Sequence, residues 1–290
     1  MDSRTRIIIE DDLSLDAERV IRNPDDSFYV EYLKPYYVRT RDGQYLFGSI
    51  QPGRRPDRAF YMVPPLYRLG KKQNPFDTDI GRRFYAVVKR YLTTVPTLLL
   101  EGIQGEPGYE TGLRILLSVK NPHAGYIAWM GRQMIFPHKP GCRISCINYI
   151  IEETLPEEYV AEIHGFWPDY DPQEPITLYD FTEMDSDIRR VVSVGVDYFG
   201  GAFKKPNLTL VWNRAESEGL ISYHAGCTVK RILKGLSGTG KTTLTVGSDL
   251  EQDDACVGKP FYTSDGKVEK VQLIGLEAAS FAKSEGLTCE

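Results

Sequence analysis

Apolar and aromatic residues recur at helical spacing through GRRFYAVVKRYLTT, residues 81–94, which predicts an amphipathic helix. VPTLLLEGIQG follows at 95–105, a short apolar run closed by a glycine turn, and reads as a buried strand. GYIAWMGRQMIF, residues 125–136, predicts a second helix, and from there to EYVAEIHGFW the pattern is strand-like. FWPDYDPQEP is a loop. The first sixty residues are polar and broken by NPDD, TRDG and QPGRRPDR, with short extended pieces in FYVEYL and QYLFGSI between them. From Ser193 onward the texture is β-rich with glycine turns, in VSVGVDYFGGAF, NLTLVW and LISYHAGCTV, and again in VEKVQLIGL near the end.

Strands alternating with few helices predict an α/β (mixed α+β) protein. A boundary near residue 219 divides it into an amino-terminal domain, 1–219, and a second domain, 220–290. At 290 residues, 41% hydrophobic and 26% charged, the chain has the composition of a soluble globular protein with a sizeable core. A net charge of −5 argues against a general nucleic-acid binder. The opening MDSRTRIIIEDDLSLD lacks the apolar stretch of a signal peptide, and no run approaches a membrane span. Five cysteines without a CxxC pair read as reduced thiols, so a cytoplasmic location is expected.

GLSGTGKTTLT, beginning at Gly235, carries the densest chemistry. Gly235, Gly240, Lys241 and Thr242 satisfy G-x-x-x-x-G-K-[ST]. In such a loop the glycines let successive backbone N–H groups face one anion, and the helix that follows adds its positive end. Lys241 would reach the β- and γ-phosphates of a nucleotide, and the Thr242 hydroxyl would ligate Mg2+. The helix is expected to begin near Lys241. The strand feeding the loop, CTVKRILKG, is interrupted by Lys230, Arg231 and Lys234, as an edge strand would be. Elsewhere Lys204 and Lys205 sit together after a double glycine, ordinarily a solvated turn. His224 lies in an apolar run, ordinarily a satisfied core position, and Asp253–Asp254 form an acidic pair, ordinarily a turn. Their order along the chain, lysine pair, histidine, phosphate loop, aspartate pair, is more informative than any one of them.

That order resembles phosphoenolpyruvate carboxykinase of the ATP-dependent type. GLSGTGKTTL is similar to that family's phosphate loop, DYFGGAFKKPNLTLVW to its lysine-pair segment, ISYHAGCTV to its Ser-Met-His strand, and DLEQDDACVG to its Gly-Asp-Asp element. IGLEAASFAK resembles the stretch ending in Tyr-Ala-Lys. SIQPGRRPDRAFYMV resembles the Thr-Gly-Arg-Ser-Pro-Lys-Asp-Lys segment, and GLRILLSVKNPHAGYIAWMGRQMIFP the Arg-Leu-Ser-Val segment with its helix. The resemblance implies a carboxykinase-like amino-terminal domain followed by an incomplete P-loop nucleotide-binding domain. It implies reversible conversion of oxaloacetate and ATP to phosphoenolpyruvate, CO2 and ADP, with Mg2+ and Mn2+ as cofactors. Mn2+ would be held by Lys205, as the neutral amine, with His224 and Asp254. Arg54 would grip the substrate carboxylate, Tyr198 or Phe199 would touch the substrate, and Lys204 would complete the lysine pair. The nucleotide would lie on Gly235, Leu236, Ser237, Gly238, Thr239, Gly240, Lys241, Thr242 and Thr243, with Lys283 near the transferred phosphoryl group.

Four features depart from the family pattern. The chain stops soon after Lys283, without the region that supplies the adenine pocket and a second arginine. The stretch between His224 and Gly235 is short, the Gly-Asp-Asp-Glu-His element reads Gln252, Asp253, Asp254, Ala255, Cys256, and the substrate tyrosine is Phe199 unless Tyr198 serves. Three readings follow: one chain of a split or truncated carboxykinase, a related kinase with another acceptor, or a non-catalytic nucleotide-binding relative. All three predict a protein partner or self-association, because a sheet cut short exposes edges. None involves nucleic acid or membrane.

Overall fold

The computed structural model describes residues 5–182, 188–228, 231–234, 250–252 and 254–279, with the backbone alone at 227–228, 231–234 and 250–252. The chain divides into two compact units. The first comprises Met1–Glu101, Gly112–Arg132 and Arg143–Leu210, the second Gly102–Thr111, Gln133–Cys142 and Val211–Glu290.

In the first unit a mixed sheet runs in the order Val20–Arg22, Thr97–Gln104, Thr111–Ser118, Ile144–Ile151, Arg189–Val194, Ile176–Asp180, Ala59–Met62, Asn74–Pro75. Its centre is parallel: Ile144–Ile151 pairs in parallel with both Thr111–Ser118 and Arg189–Val194. Direction reverses between Arg189–Val194 and Ile176–Asp180. The central strands are almost continuously buried, as expected of parallel strands covered on both faces. Ile147, Tyr149 and Ile151 face one side, where they share a core with Phe84, Val88 and Tyr91 of the helix Thr78–Leu92. That helix is the one its spacing predicts, started by Asp77, whose carboxylate accepts from Ile80 N at 2.9 Å. The residue between them, Asn148, turns to the opposite face. Outside the sheet, Arg6–Glu10 pairs with Leu13–Asp16.

The strand Thr97–Gln104 and the helix Gly125–Met134 also match the pattern. Three segments that read as extended are helices. Asp26–Tyr32 is capped by Asp25, which accepts from Phe28 N at 2.9 Å, so a local capping bond overrides the aromatic, β-favouring run FYVEYL. Glu157–His164 follows Pro156, with two acidic residues in its first turn. NLTLVW lies within the helix Lys205–Ser217, where burial of Leu208, Val211 and Ala215 on one face prevails over strand propensity.

Among its described residues the second unit holds two small antiparallel sheets. One orders Ile221–Tyr223, Cys256–Tyr262, Val268–Gly275, and the other Arg231–Lys234, Ala225–Thr228, Leu250–Gln252. Phe136–Pro137 pairs with Gly102 and Ile103 at the end of the strand Thr97–Gln104. Among the described residues no helix is long and apolar enough to cross a membrane.

Candidate functional site: a cationic cleft and a histidine–aspartate pair

The first unit carries a cleft lined by five cations, Arg54, Arg55, Arg58, Lys72 and Lys205, together with Tyr61 and Tyr179. Its tyrosines come from the parallel strands Ala59–Met62 and Ile176–Asp180, whose register sets Tyr61 directly opposite Tyr179. The rings therefore stack, centroids 4.7 Å apart and planes 9° from parallel. Burial raises both phenol pKa values. The nearby Arg54 charge opposes that rise in each case, as do hydrogen bonds from Gln73 to Tyr61 and from Thr209 to Tyr179. Both phenols stay protonated at neutral pH and keep an O–H to donate.

The cations differ in what they already hold. Arg55 is paired with Asp57 at 2.8 Å and Glu174 at 2.9 Å, and Arg58 donates to Pro175 O at 3.2 Å and approaches Glu174 at 3.8 Å. Arg54 and Lys72 make no ion pair among the described residues. The wall is thus tied internally while part of its charge stays open to an anion. The segment carrying Arg54 is fastened to the loop after Arg189–Val194. Gln51 donates through its side chain to Gly195 O at 2.7 Å and through its backbone to Asp197 Oδ1 at 3.0 Å, and Ile50 N donates to Asp197 Oδ2. Asp197 is buried, and nothing in its local sequence marks it as the clamp for a loop so distant in the chain.

Lys205 also lines the cleft, as the first residue of the helix Lys205–Ser217, which follows a π-helical turn, Gly200–Lys204. Within this segment Phe199 is buried and stacks on Phe203, centroids 5.6 Å apart, while Tyr198 is half-buried with its ring folded over Gly200. A side chain at Gly200 would strike that ring. Lys204 is 4% exposed, directed inward beside the lysine that lines the cleft. Phe203 packs against Gly131, where a β-carbon would overlap its ring. Gly131→Ala is therefore expected to destabilise the chain by about 1–2 kcal/mol, overpacking outweighing the gain in helix propensity. A thermal midpoint equal to wild type would show that the ring turns aside at no cost.

In the second unit the antiparallel register of Ile221–Tyr223 against Cys256–Tyr262 sets Tyr223 opposite Cys256, which brings the flanking His224 and Asp254 together. His224 Nδ1 lies 3.2 Å from Asp254 Oδ1 and 3.0 Å from Asp254 O. The Trp212 ring stands edge-on to the imidazole at 6.3 Å. Imidazole nitrogen and carboxylate oxygen are ligand types suited to a divalent first-row metal. Among the described residues no group of three or more His, Cys, Asp or Glu gathers into a metal site. Residues 235–243, Asp253 and Lys283 lie outside the described residues. The structure thus brings Arg54 together with Lys205, and His224 together with Asp254, each pair within one unit. Tyr61, Tyr179, Lys72 and Asp197 are the residues that sequence reasoning missed.

Fold and site define an α/β chain with a mixed sheet and a cationic cleft. No family model matches it. Among curated proteins, the phosphoenolpyruvate carboxykinase (ATP) of Caldanaerobacter subterraneus subsp. tengcongensis is 25% identical over 207 residues, covering 67% of this chain and 36% of that protein. This supports a distant, carboxykinase-like relationship. The chain spans about a third of the length of the curated relative it matches.

Proposed function

We propose that this chain is a carboxykinase-like protein that binds oxaloacetate or phosphoenolpyruvate in the cationic cleft and ATP on the loop at 235–243. The observation that carries the reading is the convergence of Arg54 and Lys205 on stacked, protonated Tyr61 and Tyr179. The planar fork of Arg54 suits a carboxylate held by two hydrogen bonds, and Lys205 adds a second positive group. The two phenols donate hydrogen bonds to anionic oxygens, and Tyr198 is the aromatic available beside Gly201, since Phe199 lies in the core. Lys204 maintains the positive field behind Lys205. His224 and Asp254 are the proposed Mn2+ ligands, and Thr242 the Mg2+ ligand. Bound divalent ions supply Lewis acidity and charge neutralisation toward enolate and phosphate oxygens. Lys241, the loop amides and Lys283 hold the nucleotide phosphates.

In this reading residues 1–219 form the substrate domain and 220–290 the first part of the nucleotide-binding domain. The chain works in the cytoplasm. The proposal includes a protein partner or self-association.

The test is titration of Mn2+ and then ATP into the purified chain, read by Mn2+ electron paramagnetic resonance and by calorimetry. His224→Ala and Asp254→Ala are each expected to weaken Mn2+ binding by about 10–100-fold. Lys241→Ala should leave Mn2+ binding unchanged and lose ATP. Mn2+ affinity indifferent to both His224 and Asp254 would remove the metal assignment, and ATP affinity indifferent to Lys241 would remove the nucleotide one.

A further inference from the structure

The lysine that lines the cleft depends on an unusual backbone. Lys205 N donates to Gly200 O, five residues back, which makes Gly200–Lys204 a π-turn before the α-helix resumes at Lys205. In the resuming α-helix the carbonyl of Ala202 would accept from residue 206. Residue 206 is proline and has no N–H to give. Ala202 is fully buried, so its carbonyl has no access to bulk water, and an unpaired buried carbonyl is costly.

Its donor comes from a different element. Asn148 Nδ2 reaches Ala202 O at 3.0 Å from the middle of the central strand Ile144–Ile151, where its neighbours across the sheet are Ile115 and Val191. The same Nδ2 donates to Asn207 Oδ1 at 3.2 Å, and Asn207 immediately follows the proline. Asn148 is 0% and Asn207 1% exposed. The remaining polar atoms of the pair, Asn148 Oδ1 and Asn207 Nδ2, find no partner among the described residues. An apolar pair would therefore suit the core better. What the amides supply is a side-chain donor at a carbonyl whose α-helical partner is proline, and Asn207 Oδ1 holds the Asn148 side chain in the orientation that reaches it.

We infer that Asn148 and Asn207, acting with Pro206, are positioning residues that hold the π-turn in the geometry that places Lys205 in the cleft. The inference rests on the reading of Lys205 as an anion-binding group, and touches the ligand only through it.

The test uses the full chain and three variants, Asn148→Leu, Pro206→Ala and the double Asn148→Leu/Pro206→Ala. Each is measured for amide hydrogen exchange over residues 200–205 and for calorimetric affinity toward phosphoenolpyruvate. Asn148→Leu removes the donor with little change of volume. It is expected to speed exchange across the turn and weaken binding by about tenfold, the scale of one buried hydrogen bond. Pro206→Ala provides a backbone N–H four residues after Ala202. In the double variant it is expected to restore exchange and affinity to within about twofold of wild type. A general core defect caused by leucine would persist in the double variant, so failure of rescue overturns the inference, as does wild-type exchange in Asn148→Leu. Should Asn148→Leu not fold, Asn207→Ala reads the same contact. About threefold weaker binding with faster exchange at 200–205 is expected, and wild-type values would overturn the inference. If wild type binds no phosphoenolpyruvate, the cleft reading fails by itself, while the exchange data still decide whether Asn148 holds the turn.

Discussion

Glu10→Gln is expected to lower folding stability by about 3 kcal/mol at pH 7, the scale for removing one partner of a buried ion pair. Glu10 sits at the end of Arg6–Glu10 with its side chain 6% exposed. It accepts from Lys89 at 2.7 Å and Arg190 at 2.5 Å, and from the Tyr149 hydroxyl. The strand, the helix Thr78–Leu92 and the central sheet thus meet on one carboxylate. Burial alone would raise its pKa, but the hydrogen bonds from Lys89 and Tyr149 and the charges of Arg190 and Lys89 outweigh it and hold the carboxyl below its ordinary value. A depressed carboxyl pKa gives stability that is fully present above the unfolded value, about 4.3, and is lost as pH falls through the folded value. Wild type should therefore shed stability below about pH 4.3, whereas Glu10→Gln, already weakened, should show a shallower acid limb. Thermal midpoints measured from pH 3 to 7 check this. A Glu10→Gln midpoint equal to wild type at pH 7 would mean that the two cations find other partners.

Arg54→Ala and Lys205→Met are each expected to weaken phosphoenolpyruvate binding by about 100-fold, roughly 2–3 kcal/mol for a charge-assisted hydrogen bond lost in a cleft. Lys205→Met keeps most of the aliphatic stem and removes only the charge. Arg54→Lys keeps the charge but not the fork, and should lie between, with a loss of about tenfold. Thermal midpoints should hardly move in the Arg54 variants, because Arg54 is exposed and makes no ion pair among the described residues. Calorimetry at fixed ionic strength separates these outcomes, since general screening would weaken all cleft variants alike. Equal affinities for wild type, Arg54→Ala and Lys205→Met would place the ligand elsewhere.

Local sequence carried some of this architecture and not the rest. The helix Thr78–Leu92 and the strand Thr97–Gln104 could be read directly, because period and burial coincide in them. The helix Lys205–Ser217 could not. Its β-favouring residues face the core for tertiary reasons, and the turn before it is hydrogen-bonded by an asparagine on a distant strand. Arg54 and Lys205 were legible only as members of motifs, since an arginine in a polar loop and an adjacent lysine pair are ordinary surface features. The stacked Tyr61 and Tyr179 were not legible at all. They meet through parallel pairing of strands far apart in sequence, and no local pattern encodes that register. Asp197 was hidden for the same reason: its partners, Ile50 N and Gln51 N, are backbone groups in a remote loop. His224 and Asp254 each looked like an ordinary residue until antiparallel pairing set them side by side.

The most direct test of a carboxykinase-like site is calorimetric titration of phosphoenolpyruvate into the full chain with Mn2+ present, run beside Arg54→Ala. Saturable binding by wild type that falls by about 100-fold in the variant is the predicted result. No binding by a folded wild-type chain, or binding that ignores Arg54, would contradict the assignment of the cleft.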